Sequence, residues 1–163
     1  MAADTVGFHA HDHSACIADA IGMAEQTSHE KGLKFTPVRR RVLELLLESH
    51  VAMGAYDVLE RLAQEGMGDK PPVAYRALAF LVDNGLAHRI EKLNAYVACT
   101  HPGAAHDPAF MICRNCHLVA ETEPAEPLGK SAGEAGFQIE HMVIEAEGLC
   151  PKCQSKPNTG AKS

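Results

Sequence analysis

The chain has no apolar run long enough to cross a bilayer, so no membrane-spanning helix and no membrane partner are expected. Its first residues, MAADTVGFHAHDH, are polar and lack the apolar core of a secretory leader. A reducing, cytoplasmic setting is therefore expected. Positive charge is in deficit. Fifteen basic against 21 acidic residues give a formal net charge of -6, which argues against indiscriminate binding to nucleic acid but leaves specific binding open, since that depends on where the cations lie. No internal repeat recurs beyond two cysteine pairs, and no low-complexity stretch stands out. The H-x-E and P-C-x-x-C combination of a nucleobase deaminase is missing, because Cys150 precedes Pro151 and no matching glutamate is present. No catalytic role and no small-molecule substrate are expected.

What the chain does have is Cys113-x-x-Cys116 and Cys150-x-x-Cys153. A two-residue gap lets both sulfurs of one pair reach a single ion without straining the backbone. Two such pairs supply the closed tetrahedral set of a structural zinc site. In a reducing compartment paired thiols are more often metal ligands than disulfides. Neither pair precedes a helix within a βαβ pattern, as a thioredoxin-type dithiol does. The long interval between the pairs, residues 117–149, implies an ion that ties together distant parts of one domain.

Periodicity organises the rest. Residues 1–14 read as a mobile tail with His9, His11 and His13. Residues 15–98 read as helices followed by a hairpin, the order of a winged helix-turn-helix. Cys16, Ile17, Ala20, Ile21 and Ala24 recur at helical spacing, and Gly32 is a stop. Thr36-Pro37 reads as a cap and a first helical position, followed by Val38, Val42, Leu45 and Leu46 on one face. Residues 54–65 carry Val58, Leu59 and Leu62 inward, and residues 72–84 carry Val73, Ala77, Phe80 and Leu81. AHRIE and NAYVAC then alternate as strands. Residues 72–84 are the expected recognition helix. Arg76 on it suits two hydrogen bonds to a guanine edge, and Tyr56 and Tyr75 suit the sugar-phosphate or a thymine methyl. Taken alone, Tyr75 and Arg76 are equally ordinary surface residues. Basic residues cluster in the stretch 31–41, KGLKFTPVRRR, and Arg39 joins the expected DNA-facing set.

Residues 99–108 read as a hinge, residues 109–153 as a small α/β domain expected to pair with a second copy, and residues 154–163 as a tail. The expected fold class is α+β. In the second domain a strand pair spans residues 109–123, a short helix residues 125–136, and a strand GFQIEHMVIEAEG. His88, Cys99, His106 and Glu121 bracket the hinge. Nitrogen, sulfur and carboxylate oxygen together suit zinc, and an ion held by them would fix the angle between the domains, a switch by population shift. His88 also suits a phosphate contact, Cys99 also suits a small buried hydrophobe, and Glu123 shares a strand face with Glu121. His101 and His117 are expected in solvent and His141 in a structural role.

The chain resembles the ferric uptake regulator family, and within it the zinc uptake regulator branch, over residues 16–153. The likeness is carried by Leu33-Lys34-Phe35-Thr36-Pro37-Val38-Arg39, Gly54-Ala55-Tyr56-Asp57 and Lys70-Pro71-Pro72-Val73-Ala74-Tyr75-Arg76-Ala77-Leu78, then by Asn84-Gly85-Leu86-Ala87-His88, the first cysteine knuckle and His141 to Cys150. The resemblance implies a homodimeric metal-sensing repressor of zinc-homeostasis genes that reads a palindromic operator in double-stranded DNA. It implies a structural zinc on Cys113, Cys116, Cys150 and Cys153 and a sensing zinc on His88, Cys99, His106 and Glu121, hence two ions per protomer. It also implies base contacts from Tyr56 and Arg76. Two departures favour zinc over the alternative of an iron or peroxide sensor: only His106-Asp107 remains of the histidine-rich run, and Cys99 fills a ligand position that those branches do not give to cysteine. Glu147 stands where a histidine is common, so an additional metal site is not expected.

Overall fold

The computed structural model describes residues 8, 13–100, 102, 108–123 and 128–155. The chain divides into two units, His9–Ala105 and a second made of Met1–Phe8 with His106–Ser163. Among the described residues no helix is long and apolar enough to cross a membrane.

In the first unit, α1 (His13–Glu30), α2 (Pro37–Leu47), α3 (Ala55–Gln64) and α4 (Pro71–Asp83) precede a hairpin of β1 (Ala87–Ile90) and β2 (Ala95–Ala98). Three of the helix boundaries in this unit have a clear local cause. Thr36 accepts the Arg39 N–H at 3.3 Å and Pro37 supplies a preset first turn for α2. The Asp57 carboxylate accepts the Gly54 N–H at 3.1 Å at the start of α3. After α4, Gly85 takes φ +69°. That left-handed turn lets Gly85 N–H reach Val82 O at 3.1 Å and Leu86 N–H reach Leu81 O at 2.8 Å, so two orphan carbonyls are satisfied.

The apolar faces then meet. Val42, Leu43, Leu45 and Leu46 of α2, Val58 and Leu62 of α3, and Ala74, Ala77, Leu78 and Leu81 of α4 form one core, with Ile21 and Ala24 added from α1. Burying each leucine is worth about 1.5–3 kcal/mol, so this core sets the angle between α3 and α4 more firmly than any surface contact does. The hairpin pairs His88 with Val97 and Arg89 with Tyr96. Asn94 turns it at φ 46° and accepts from Arg89 at 2.8 Å. Met53 and Tyr96 exchange two backbone hydrogen bonds of 2.9 Å, which dock the wing on the helices.

The second unit holds a three-stranded sheet in the order β4-β3-β5, from β3 (Ala109–Cys113), β4 (Val119–Thr122) and β5 (Ile144–Gly148), with short helices α5 (Gly129–Glu134) and α6 (Pro151–Gln154). β3 runs antiparallel to β4 and parallel to β5. Helices followed by a small mixed sheet make the chain α+β. Three expectations shift. The strand expected across GFQIEHMVIEAEG is only Ile144–Gly148 long, because its partner β3 begins at Ala109, which pairs with Ile144, and offers no earlier residue. The helix expected at residues 125–136 is observed as Gly129–Glu134, residues 125–127 lying outside the described residues. The tail expected at residues 1–14 yields its end to α1, which begins at His13.

Candidate metal centres and nucleic-acid face

Local structure delivers the four paired sulfurs to one point. β3 ends at Cys113, and a tight knuckle returns the chain: His117, at φ 61°, donates its N–H to Cys113 O at 2.9 Å, and Cys113 N–H reaches Leu118 O at 2.9 Å. β5 leads into Cys150, the residue before α6, and Pro151 opens that helix so that Cys153 follows within one turn. The ligand atoms of Cys113, Cys116, Cys150 and Cys153 all lie within 4.8 Å of one another. Cys116 Sγ and Cys150 Sγ are 3.6 Å apart. A tetrahedral zinc with Zn–S near 2.3 Å spaces its sulfurs by about 3.8 Å, so the donor set fits that ion in number, chemistry and size. No disulfide joins any of the described cysteines.

Cys113 and Cys150 are buried, Cys153 is 9% exposed and Cys116 is half-buried. Burial pushes the Cys113 thiol up, but backbone N–H groups of Cys116, Cys150 and Asn115 directed at its sulfur outweigh this and bring it down to about 6. Burial dominates at Cys116 and pushes it up to about 12. Asn115 Nδ2 donates to Cys153 Sγ at 3.2 Å. Four thiol donors close a tetrahedron and leave no position for a reacting water.

The second candidate set is divided between the units. In the first, His88 lies on β1 and Cys99 follows β2, with Cys99 N–H on Leu86 O at 3.0 Å. The ligand atoms of His88 and Cys99 lie within 4.8 Å of each other, and Cys99 is buried. In the second unit Glu121 sits on β4 opposite Phe110 and is 7% exposed. Glu123 lies past the end of β4 and is exposed. His106 and His101 lie outside the described residues. His117 and His141 are exposed, the latter ahead of β5.

Outside the core, α3 and α4 turn one aromatic face to solvent. Tyr56 is 69% exposed and Tyr75 46%, and their rings meet edge to face with centroids 6.5 Å apart. Arg76 beside them is exposed. The arrangement follows from α4 itself: Ala74, Ala77 and Leu78 take the inward positions, which leaves Tyr75 and Arg76 facing outward. Arg39, also expected on the DNA-facing side, is half-buried. Its guanidinium lies 3.9 Å from the centre of the Phe80 ring and donates to the Lys34 carbonyl, bracing α2 against α4.

Two more cations of the basic stretch are neutralised within the unit. Arg40 pairs with Glu25 and Glu44. Arg41 bonds Glu65 at 2.7 Å, Glu44 at 3.1 Å and Glu48 at 3.3 Å. The hydrogen bond to Glu65 raises the Arg41 pKa, and the same bond lowers that of Glu65. Glu25 and Glu65 are 15 and 24 residues distant from their arginines, so a local scan of charge does not pair them. Lys31 and Lys34 remain exposed.

Comparison with known proteins agrees with this geometry. The model of the ferric uptake regulator family matches residues 30–147. The zinc uptake regulation protein of Escherichia coli (strain K12) is 37% identical over 139 residues, covering 83% of this chain and 81% of that protein. A zinc uptake regulator complexed with zinc and DNA superposes with a TM-score of 0.78 at 36% identity, covering 85% of this chain and 95% of the other. The crystal structure of holo XcZur gives 0.75 at 36% identity, covering 85% and 99%.

Proposed function

The chain belongs to the ferric uptake regulator family, and on that premise we propose that it is a zinc-responsive, sequence-specific DNA-binding repressor of zinc-homeostasis genes. The observation that carries this is a four-thiol cage of zinc dimensions in a chain 36% identical to a regulator solved with zinc and DNA. Cys113, Cys116, Cys150 and Cys153 hold a structural zinc that crosslinks β3 and its knuckle to α6. Because the second unit is small, this crosslink is part of its folding energy.

His88, Cys99, His106 and Glu121 hold a regulatory zinc, making two ions per protomer. The nearness of His88 and Cys99, and the burial of Glu121 against the exposure of Glu123, support that choice of ligands. The thiolate disfavours manganese, and the similarity to zinc uptake regulators makes an iron or peroxide sensor the weaker reading. Bound at this second set, zinc supplies binding energy available to only one arrangement of the chain and so shifts the population towards it.

The protein acts as a homodimer on a palindromic operator in double-stranded DNA, one α4 for each half-site. Exposed Phe137, Val143 and Leu149, together with the edge strand β5, suit pairing with a second copy. On α4, Arg76 reads a guanine edge, while Tyr56 and Tyr75 offer ring faces and hydroxyls to a thymine methyl or the backbone. Arg39 supports this face by holding α2 to α4. The protein works in the cytoplasm and has no catalytic role, the closed thiol set being suited to holding an ion.

The test is a titration of duplex binding against buffered free zinc, with a duplex selected from a random-sequence library in the presence of zinc. Binding should tighten steeply with zinc and not with matched iron(II) or manganese(II). Equal binding by metal-free protein overturns the proposal.

A further inference from the structure

The cage has a wall that its four cysteines do not supply. Phe8 packs against the cluster formed by Cys113, Cys150 and Cys153, and its ring is half-buried there. It helps to line a cavity of about 210 Å³ whose other walls include Met111, Ile112, Gly148 and Leu149 beside Cys113 and Cys150. Phe8 therefore lies at the seam of β3 and β5, where two of the sulfurs emerge. Another approach is held by Asn115, through its amide on Cys153 Sγ, and Leu118 packs on the same cluster. Phe8 is the sole aromatic residue in an otherwise polar opening segment, and it comes from more than a hundred residues away in the chain.

We propose that Phe8 is an apolar gate of the four-cysteine centre that slows release of its zinc and attack on its sulfurs. A competing chelator extracts zinc from thiolates by bonding to the ion before the last sulfur leaves, and an electrophile must approach a sulfur lone pair. Both need a solvent path, and an aromatic ring on the Cys113–Cys150 side narrows one. Asn115 holds the Cys153 thiolate by a hydrogen bond, so the two residues guard the centre by different means. The gate rests on the reading of the cage as a zinc site, and the experiment separates the two.

Full-length protein is loaded with zinc in a Cys99→Ser background, so that the cage dominates the zinc counted, and its metal content is measured. Zinc transfer to a chromophoric chelator, 4-(2-pyridylazo)resorcinol, is then followed in time, alongside thiol alkylation by iodoacetamide. Phe8→Ala should transfer zinc and alkylate roughly tenfold faster, a size typical for loss of an outer-shell partner, while Phe8→Leu stays near the parent rate. Circular dichroism of the loaded proteins should coincide, which separates a gate from a folding defect. Equal rates in Phe8→Ala and its parent overturn the gate while leaving the cage intact. If the parent takes up no zinc that Cys113→Ser abolishes, the cage reading fails and the gate with it.

Discussion

At the scale of single residues, chemistry that depends on residue type and near spacing was legible, and chemistry that depends on distant partners was not. The sequence motifs marked all four cage cysteines, because a C-x-x-C spacing carries its geometry with it. Glu121 and Glu123 were indistinguishable in sequence, since alternation puts both on one strand face; the end of β4 at Thr122 is what separates them. Arg39 reads as a free cation until Phe80 is seen beneath it. The two arginines therefore make opposite predictions. Arg76→Ala, at an exposed position, should cost about 1–3 kcal/mol in discrimination between the selected operator and one with the guanine replaced. Competition binding on the two duplexes measures this, and a uniform loss on both would mark Arg76 as a phosphate contact. Arg39→Ala should lower thermal stability more than it changes that discrimination, because it removes packing from the α2–α4 seam.

At the scale of elements, caps and punctuation fixed the helices well. Thr36-Pro37 and Asn84-Gly85 act within one turn, so their signals survive folding unchanged. Alternation overstates the length of β5, because it shows what a strand can bury and only a neighbour sets how far it pairs. The charges on α2 show the same contrast. Arg41 binds Glu65, just past the end of α3, and that contact depresses the Glu65 pKa. Its contribution to stability is thus complete above the ordinary carboxylate value of about 4.3 and is lost as pH falls through the lowered one. Glu65→Gln should destabilise the protein at pH 7, and the gap to the parent should narrow below about pH 4. Urea midpoints of both proteins across that range measure it, and a gap that does not change with pH would contradict the ion pair as its source. Added salt should narrow the gap at neutral pH too.

At the scale of the whole molecule, a net charge of -6 makes metal control of DNA binding physically simple, since loose attraction to phosphate is weak without an organised reading face. Cys99→Ser should leave a folded dimer with its cage zinc in place, yet abolish the tightening of duplex binding by zinc. Analytical ultracentrifugation, metal content and the zinc titration together decide this, and a normal zinc response in that variant would refute the proposed regulatory ligands. Residue types and short spacings by themselves determined the helix order, the wing, the sulfur pairs and the class of metal, because each is encoded within a few turns of chain. Tertiary structure alone decided which sulfurs approach to 3.6 Å, which arginines are neutralised and that Phe8 lies on the cage. Those outcomes join residues far apart in sequence, where packing and charge pairing select the partner and no local periodicity records it.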